Sequence, residues 1–281
     1  MIIRSLILAL AGVVGLSQLA AARPLDDVTA SGHLRVAVYR DFAPFASGPS
    51  DNVKGLDVEL GKIIARRLGV KKVEYLVVTA GDTVADDLRN GVWKGHYLGY
   101  GVADVMLHIP VDKYLAVQND NAYIFAPYYR EQLVIAIDPR QTGGTDLIAA
   151  FGEHKVGVEG DSLADNYLLG AFGGRLRDNV VHFHSVAAAV NAMAQGKVAG
   201  VMGLRTQVEA ALKKHHRHFR ISSMPLPGLT VRSWLIGMAV KVDSHDLANA
   251  IEPIIETMAR DGTLAKLFAK YGMTYIPPTE D

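Results

Sequence analysis

The sequence predicts a mixed α/β fold of two lobes joined by two crossing strands, with a cleft between them. Three observations carry this. From residue 33 to residue 109, short apolar segments alternate with amphipathic ones in a strand–helix–strand–helix–strand order, the signature of a parallel sheet with right-handed crossovers. A second set of the same kind begins near residue 132. A long apolar run at 231–240 then returns the chain to the first set before two closing helices. One α/β unit inserted into another implies crossings near residues 129–133 and 233–238. The corresponding partition is 33–130 with 236–281 in lobe 1, and 131–235 in lobe 2. Lobes hung on two strands close like a clamp around what lies between them.

Taken in order, residues 1–22 hold one basic residue (Arg4), an apolar run at 6–16, and Ala20, Ala21 and Ala22. These are the parts of a cleaved secretory signal peptide, so the mature chain should begin near Arg23. The run falls short of the roughly 20 apolar residues a membrane anchor needs. The chain has no Cys, hence neither a lipidated cysteine nor a disulfide framework. A soluble periplasmic protein is expected.

Residues 33–39, HLRVAVY, alternate so that Leu34, Val36 and Val38 share one face of a strand. The loop RDFAPF follows, with Phe42 and Phe45. GLDV opens a helix in which Asp57 is placed to cap free amides, Leu60, Ile63, Ile64 and Leu68 form the buried stripe, and Gly69 is the stop. Residues 73–78 read as a strand, 82–90 as a helix, and 102–109 as an apolar strand closed by Pro110. In open α/β sheets the ligand crevice lies just past the carboxyl ends of the strands, which places His108 and Asp112 at the cleft. The segment before that strand crowds Trp93, His96, Tyr97 and Tyr100 among Gly95, Gly99 and Gly101. It either packs over a lobe as a small subdomain or presents an aromatic binding surface.

The second set opens on an aromatic turn at 125–129, with Tyr128 and Tyr129, and a strand at 132–137. Strands at 155–158, 180–183 and 198–202 alternate with helices ending near 169, 195 and 214, the second capped by Ser185 and stopped by Gly196. The closing helices span 247–258 and 263–271, and Pro253 is expected to kink or break the first near Ile251.

Formal charge is zero, which argues against a nucleic-acid partner. Asp161, Ser162 and their neighbours in GDSLAD match the nucleophile block of one hydrolase class, but no D-x-x-H follows to supply a triad. That leaves a helix N-terminus able to hold an anion, opposed by Asp161. The run KKHHRH at 213–218 reads as a solvated helix end rather than a metal site. Asp82, Asp86 and Asp87 read as a polar helix face, and His182 with His184 as a surface or crevice pair. No catalytic residue, metal ligand or cofactor is assigned.

The stretches LRVAVYRDFAPF, GLDVELGKIIARRLG, FAPYYREQLVIAI, KVGVEGDSLADNYL, VAAAVNAMAQGKVAGVM and DGTLAKLFAKYG resemble the periplasmic solute-binding proteins of family 3, the amino-acid-binding type. The resemblance implies a periplasmic-binding-protein fold of type II. It also implies that Phe42 takes the place of the ring that stacks on ligands, and that Phe45, Tyr128 and Tyr129 line the lobes or hinge. Two departures stand out. After the strand ending near Leu107 the family carries hydroxyl residues and an Arg for the ligand carboxylate, a task that suits Arg geometry; this chain has HIPVDKYL. After the strand ending at Met202 the family has an acid for the ligand ammonium; this chain has Gly203, Leu204 and Arg205.

The segment DVMLHIP, with the aromatic stretch before it, is similar to the MxaJ/XoxJ-type branch associated with methanol dehydrogenases. That resemblance implies a non-enzymatic partner of a periplasmic quinoprotein methanol dehydrogenase, of the lanthanide-dependent kind, assisting activation, maturation or cofactor handling. The competing reading is the receptor of an ABC importer for a small solute other than a simple amino acid. The expected cleft or partner-binding set is Phe42, Phe45, Trp93, His96, Tyr97, His108, Asp112, Tyr128, Tyr129, Asp161, Ser162 and Arg205.

Overall fold

The computed structural model describes residues 23–143, 147–215, 219–223 and 226–279; the expected signal peptide lies outside them. Lobe 1 opens with α1 (Leu25–Ser31), β1 (His33–Tyr39), α2 (Leu56–Arg67), β2 (Lys72–Val78), α3 (Val84–Leu88), β3 (Val105–Pro110) and α4 (Lys113–Gln118). A single long strand, β4 (Ala122–Ile137), carries the chain into lobe 2. Lobe 2 holds α5 (Pro139–Thr142), α6 (Leu147–Glu153), β5 (Val156–Glu159), α7 (Leu163–Gly170), β6 (Val180–Phe183), α8 (Val186–Ala194), β7 (Gly200–Leu204), α9 (Arg205–Leu212) and β8 (Arg220–Ser222). The return runs through β9 (Ser233–Lys241) to α10 (His245–Arg260) and α11 (Thr263–Lys270).

Among the described residues the strands form one sheet in the order β2-β1-β3-β9-β4-β7-β5-β6, with β8 beside β4. Strands β1, β2 and β3 are parallel, as are β5, β6 and β7, whereas β4 and β9 run against their neighbours. Each half of the sheet is covered on both faces. In lobe 1, Leu34, Val36 and Val38 face α2, α10 and α11, while Ala37 faces Leu88, Val92 and Met106. In lobe 2, Phe151 and Leu168 cover one face and Val190 and Val208 the other. The period-2 pattern read in β1 therefore sorts its residues between two cores.

Several local expectations change. The helix expected at 82–90 is a five-residue α-helix that widens into a π-turn over Arg89–Trp93. The strand expected from 102 starts only at Val105. The aromatic turn and the strand after it are one element, β4, bulged between Phe125 and Tyr129 with Ala126 at φ 47°. Pro253 sits inside α10, which runs unbroken from His245 to Arg260. Pro253 Cδ takes the place of one amide hydrogen and removes one donor, and the strongly amphipathic helix, with Leu247, Ile251, Ile255 and Met258 buried, carries through it on packing.

The lobes are crossed by β4 and β9, paired antiparallel from Tyr129↔Ile236 to Gln132↔Ser233. At this junction β3 is bulged between Leu107 and Ile109, with His108 at φ 66°, and β4 is bulged opposite the same part of β9. Gly237 lies between the two irregularities. A Cβ there would sit 2.5 Å from Phe125 O and 2.7 Å from Val111 Cγ2. Gly237→Ala should lower unfolding stability by about 2 kcal/mol or more, since backbone has no room to yield; urea unfolding with an unchanged slope would register it.

Candidate functional site

Past the carboxyl end of β1, the Phe42 and Phe45 rings stack at 5.4 Å and 19°. The bulge in β3 turns His108 inward, edge-on to Phe42 at 4.7 Å and to Phe45 at 4.3 Å. The positive φ at His108 is uncommon for a non-glycine residue and belongs to this re-aimed side chain. Tyr129 stacks on Phe45 at 5.7 Å and contacts Tyr128 and Phe268. Phe45, Tyr128 and Tyr129 are essentially inaccessible, and His108 is 6% exposed.

A polar chain threads this aromatic cluster. Asp57, the second residue of α2, is 1% exposed. The helix cap expected of it is not made. Its Oδ1 instead accepts the Tyr128 hydroxyl at 3.1 Å, and its Oδ2 lies 3.3 Å from His108 Nδ1, off the line of a hydrogen bond. The free amides belong to a helix entered through Gly55, where a Cβ would lie 2.1 Å from Phe45 O. Packed so closely against that loop, α2 turns Asp57 into the lobe. On the other side of the imidazole, Nε2 and the Tyr129 hydroxyl are 3.1 Å apart, and that hydroxyl is 3.4 Å from Glu131 Oε2.

Glu131 lies on the crossing segment of β4 and is 1% exposed. It accepts the Thr206 hydroxyl from the first turn of α9 in lobe 2, and the Gln132 amide at 2.9 Å. Burial pushes the Glu131 carboxyl above its ordinary range, against these donors. Burial likewise raises both phenols well above theirs. Glu131 and Thr206 stand outside the set that the sequence motifs point to. The available signal was a lone acid two residues after Tyr129, on the same strand face in an otherwise apolar run.

The other candidates fall elsewhere. Asp112 is exposed and caps α4, accepting the Leu115 amide at 2.8 Å. Ser162 caps α7 through the Asp165 amide, and the Asp161 amide reaches Asp165 Oδ2 at 2.9 Å. His182 Nε2 lies 2.9 Å from Asp165 Oδ1. Arg205 is held by Glu209 at 2.7 Å. Trp93 packs against the Leu88 and Met106 core, at the far end of lobe 1. His96 and Tyr97 stand beyond it, with His96 tilted against Tyr97 at 4.3 Å and stacked on Tyr100 at 5.6 Å. Arg35, in the first half of β1, donates to Tyr100 O and Val102 O. The stretch is thus tied to the amino ends of β1 and β3, away from the carboxyl ends where Phe42 and His108 meet. Tyr97 is 84% and Tyr100 57% exposed. His216 and His218 lie outside the described residues; among those described, no three His or acidic side chains are grouped to hold a metal.

The open space lies beside the aromatic cluster. A crevice of ≈ 580 Å³ runs between the lobes, with Asp41, Pro44, Lys54 and Lys62 from lobe 1 and Ser185, Gln207 and Lys214 from lobe 2 among its walls. Helix α9 pins the lobes together along one side. Gln207 donates to Ala43 O at 3.4 Å, Glu209 accepts the Thr274 amide at 2.6 Å, and Lys213 reaches Lys270 O at 3.2 Å.

This arrangement, two doubly covered halves of one sheet joined by paired strands beside a crevice, has solved counterparts. The chain is similar to an ancestral cationic amino acid solute binding protein, with TM-score 0.68 and 19% identity over 88% of this chain and 99% of that one. The fold is the two-lobe periplasmic-binding-protein fold. An amino acid ABC transporter substrate-binding protein from Streptococcus pneumoniae, bound to L-arginine, shares it at TM-score 0.61 and 18% identity, over 90% of this chain and 99% of that one. So does an ancestral amino-acid-binding protein described as a precursor of cyclohexadienyl dehydratase, at 0.60 and 20%, over 88% and 99%. In sequence, a probable amino-acid ABC transporter periplasmic-binding protein of Sinorhizobium fredii is 20% identical over 266 residues, 93% of this chain and 83% of that protein. No family model matches. Among the described residues no helix is long and apolar enough to cross a membrane.

Two outcomes follow from the polar chain. Asp57→Ala strands the Tyr128 hydroxyl and His108 without their buried partner and should cost about 3 kcal/mol in urea unfolding. Ionising Glu131 is harder in the folded protein than in the unfolded chain, so its contribution to stability is lost as pH rises from the ordinary value of 4.5 through the raised folded one. Glu131→Gln should therefore gain stability relative to the parent across that window. Unfolding midpoints at pH about 4.5 and about 7.5 report the difference.

Proposed function

We propose that the protein is a non-catalytic periplasmic binding protein that serves a pyrroloquinoline-quinone methanol dehydrogenase, of the lanthanide-dependent kind, in activation, maturation or cofactor handling. The observation that carries this reading is the state of the two positions where an amino-acid receptor would need its charge partners. His108 is enclosed by Asp57, Phe42, Phe45 and Tyr129, and Arg205 is occupied by Glu209. Neither is free to grip a zwitterion. The exposed rings of Tyr97 and Tyr100, packed on a half-buried His96, support a protein partner, since aromatic side chains concentrate binding energy at interfaces. The stack is held by Arg35 and by turns with positive φ at Gly95, Gly99 and Gly101, so little entropy is lost on docking.

The test is calorimetry with the partner dehydrogenase. Tyr97→Ala with Tyr100→Ala should weaken the complex by about 2 kcal/mol or more, with urea stability within about 0.5 kcal/mol of the parent because both rings are exposed. Absence of any complex, together with unchanged dehydrogenase activity when the protein is deleted, would overturn the reading.

A second reading, the receptor of an importer for a small solute, is favoured by the interlobe crevice and its lysines. Under it, one small solute at a hundred times its dissociation constant should add about 2.7 kcal/mol of stability, read as a sharp upward shift in melting temperature.

A further inference from the structure

The walls of the interlobe crevice carry a charge pattern that points to its occupant. Lys54 is fixed by paired backbone hydrogen bonds with Ser47 at 2.8 and 2.9 Å. Lys62 follows Val58 and Glu59 at helical spacing on α2, and all three line the space. Across from them Gln207, Ala210 and Lys214 succeed one another along one side of α9 and the turn after it. None of the three lysines makes an ion pair or side-chain hydrogen bond among the described residues.

The acids of the crevice are differently placed. Both oxygens of Glu59 are taken by Lys270, at 2.6 and 2.7 Å, and Oε1 also accepts the Tyr271 hydroxyl. Glu159 Oε2 accepts the Val186 amide at the start of α8, and burial raises its carboxyl above the ordinary range. Of the acids lining the crevice, Asp41 makes no side-chain hydrogen bond or ion pair among the described residues, and Glu159 is held by a backbone amide alone. Three lysines without an ion pair, spread over both lobes, thus face two carboxylates without one, Asp41 and Glu159, beside the first turn of a nine-residue helix whose dipole adds positive potential.

We infer that the crevice takes a small organic polycarboxylate, gripped by Lys54 and Lys62 from lobe 1 and by Lys214 from lobe 2. Its ≈ 580 Å³ falls within the usual size of small-molecule sites. Cations spread over three elements suit a ligand with separated charges better than a single compact anion. The inference rests on the binding-protein reading and names the class of molecule bound. The same chemistry would come from a free metabolite or from the tricarboxylate quinone of the proposed partner enzyme.

The experiment is titration calorimetry of the full mature chain with citrate, pyrroloquinoline quinone, inorganic phosphate and L-arginine, repeated on Lys54→Gln/Lys62→Gln/Lys214→Gln. Citrate or the quinone should bind, more tightly than phosphate, and weaken with added salt. The triple variant, with an unchanged circular dichroism spectrum, should lose about tenfold in affinity, the sum of three exposed charge pairs. Preference for citrate over the quinone assigns the site to a metabolite, and the reverse to the cofactor. Binding of L-arginine in preference to both polycarboxylates would overturn the inference while leaving a binding protein. Polycarboxylate binding that the triple variant leaves intact would overturn it as well. No binding by any of the four would remove the polycarboxylate site, and calorimetry with the dehydrogenase would then judge the partner reading separately.

Discussion

Two carboxylates and an imidazole are withdrawn from water at the point where the lobes join, and the structure around them is arranged to make that tolerable. A buried charge without partners costs several kcal/mol. Asp57 and Glu131 are therefore met by four side chains from three elements: the Tyr128 and Tyr129 hydroxyls on β4, His108 on β3, and Thr206 at the head of α9. Such a chain adds little net stability over an apolar core but penalises every alternative packing that would leave a member unpaired. It also joins the lobes chemically, because Thr206 belongs to lobe 2 and Asp57 to lobe 1.

The backbone at the junction follows from that requirement. His108 reaches Asp57 and Tyr129 because β3 is bulged there, and Tyr128 and Tyr129 are presented together because β4 is bulged opposite. Two bulges against one stretch of β9 leave no volume for a side chain, and Gly237 fills the place. With the aromatic floor closed in this way, the free space between the lobes is displaced to the side walled by α2, α8 and α9, where the unpaired lysines stand.

The crevice and the exposed aromatic stack occupy different ends of the molecule. The crevice opens at the carboxyl ends of the strands, and the stack sits at the amino ends of β1 and β3. A partner on the stack and a solute in the crevice would not compete for surface, and any influence of one on the other would have to pass through lobe 1 itself.

The sequence by itself determined the α/β class, the two-lobe architecture and most of the strands and helices, because periods of 2 and 3.6 and the glycine stops at Gly69 and Gly196 are local properties. It also singled out Phe42, Phe45, His108, Tyr128 and Tyr129, which meet in space. Tertiary structure alone decided what those residues touch. Asp57 has the sequence context of a cap, yet the close approach of α2 to the Phe45 loop at Gly55 turns it into the lobe. Glu131 and Thr206 are 75 positions apart in the chain, and the length of β4 together with the bulges brings them together. The aromatic stretch and His108 are near neighbours in sequence but sit at opposite ends of one strand. Burial, register and strand ends are non-local quantities, and they settle which polar residue holds a helix, which holds the lobes, and which is left free to hold something else.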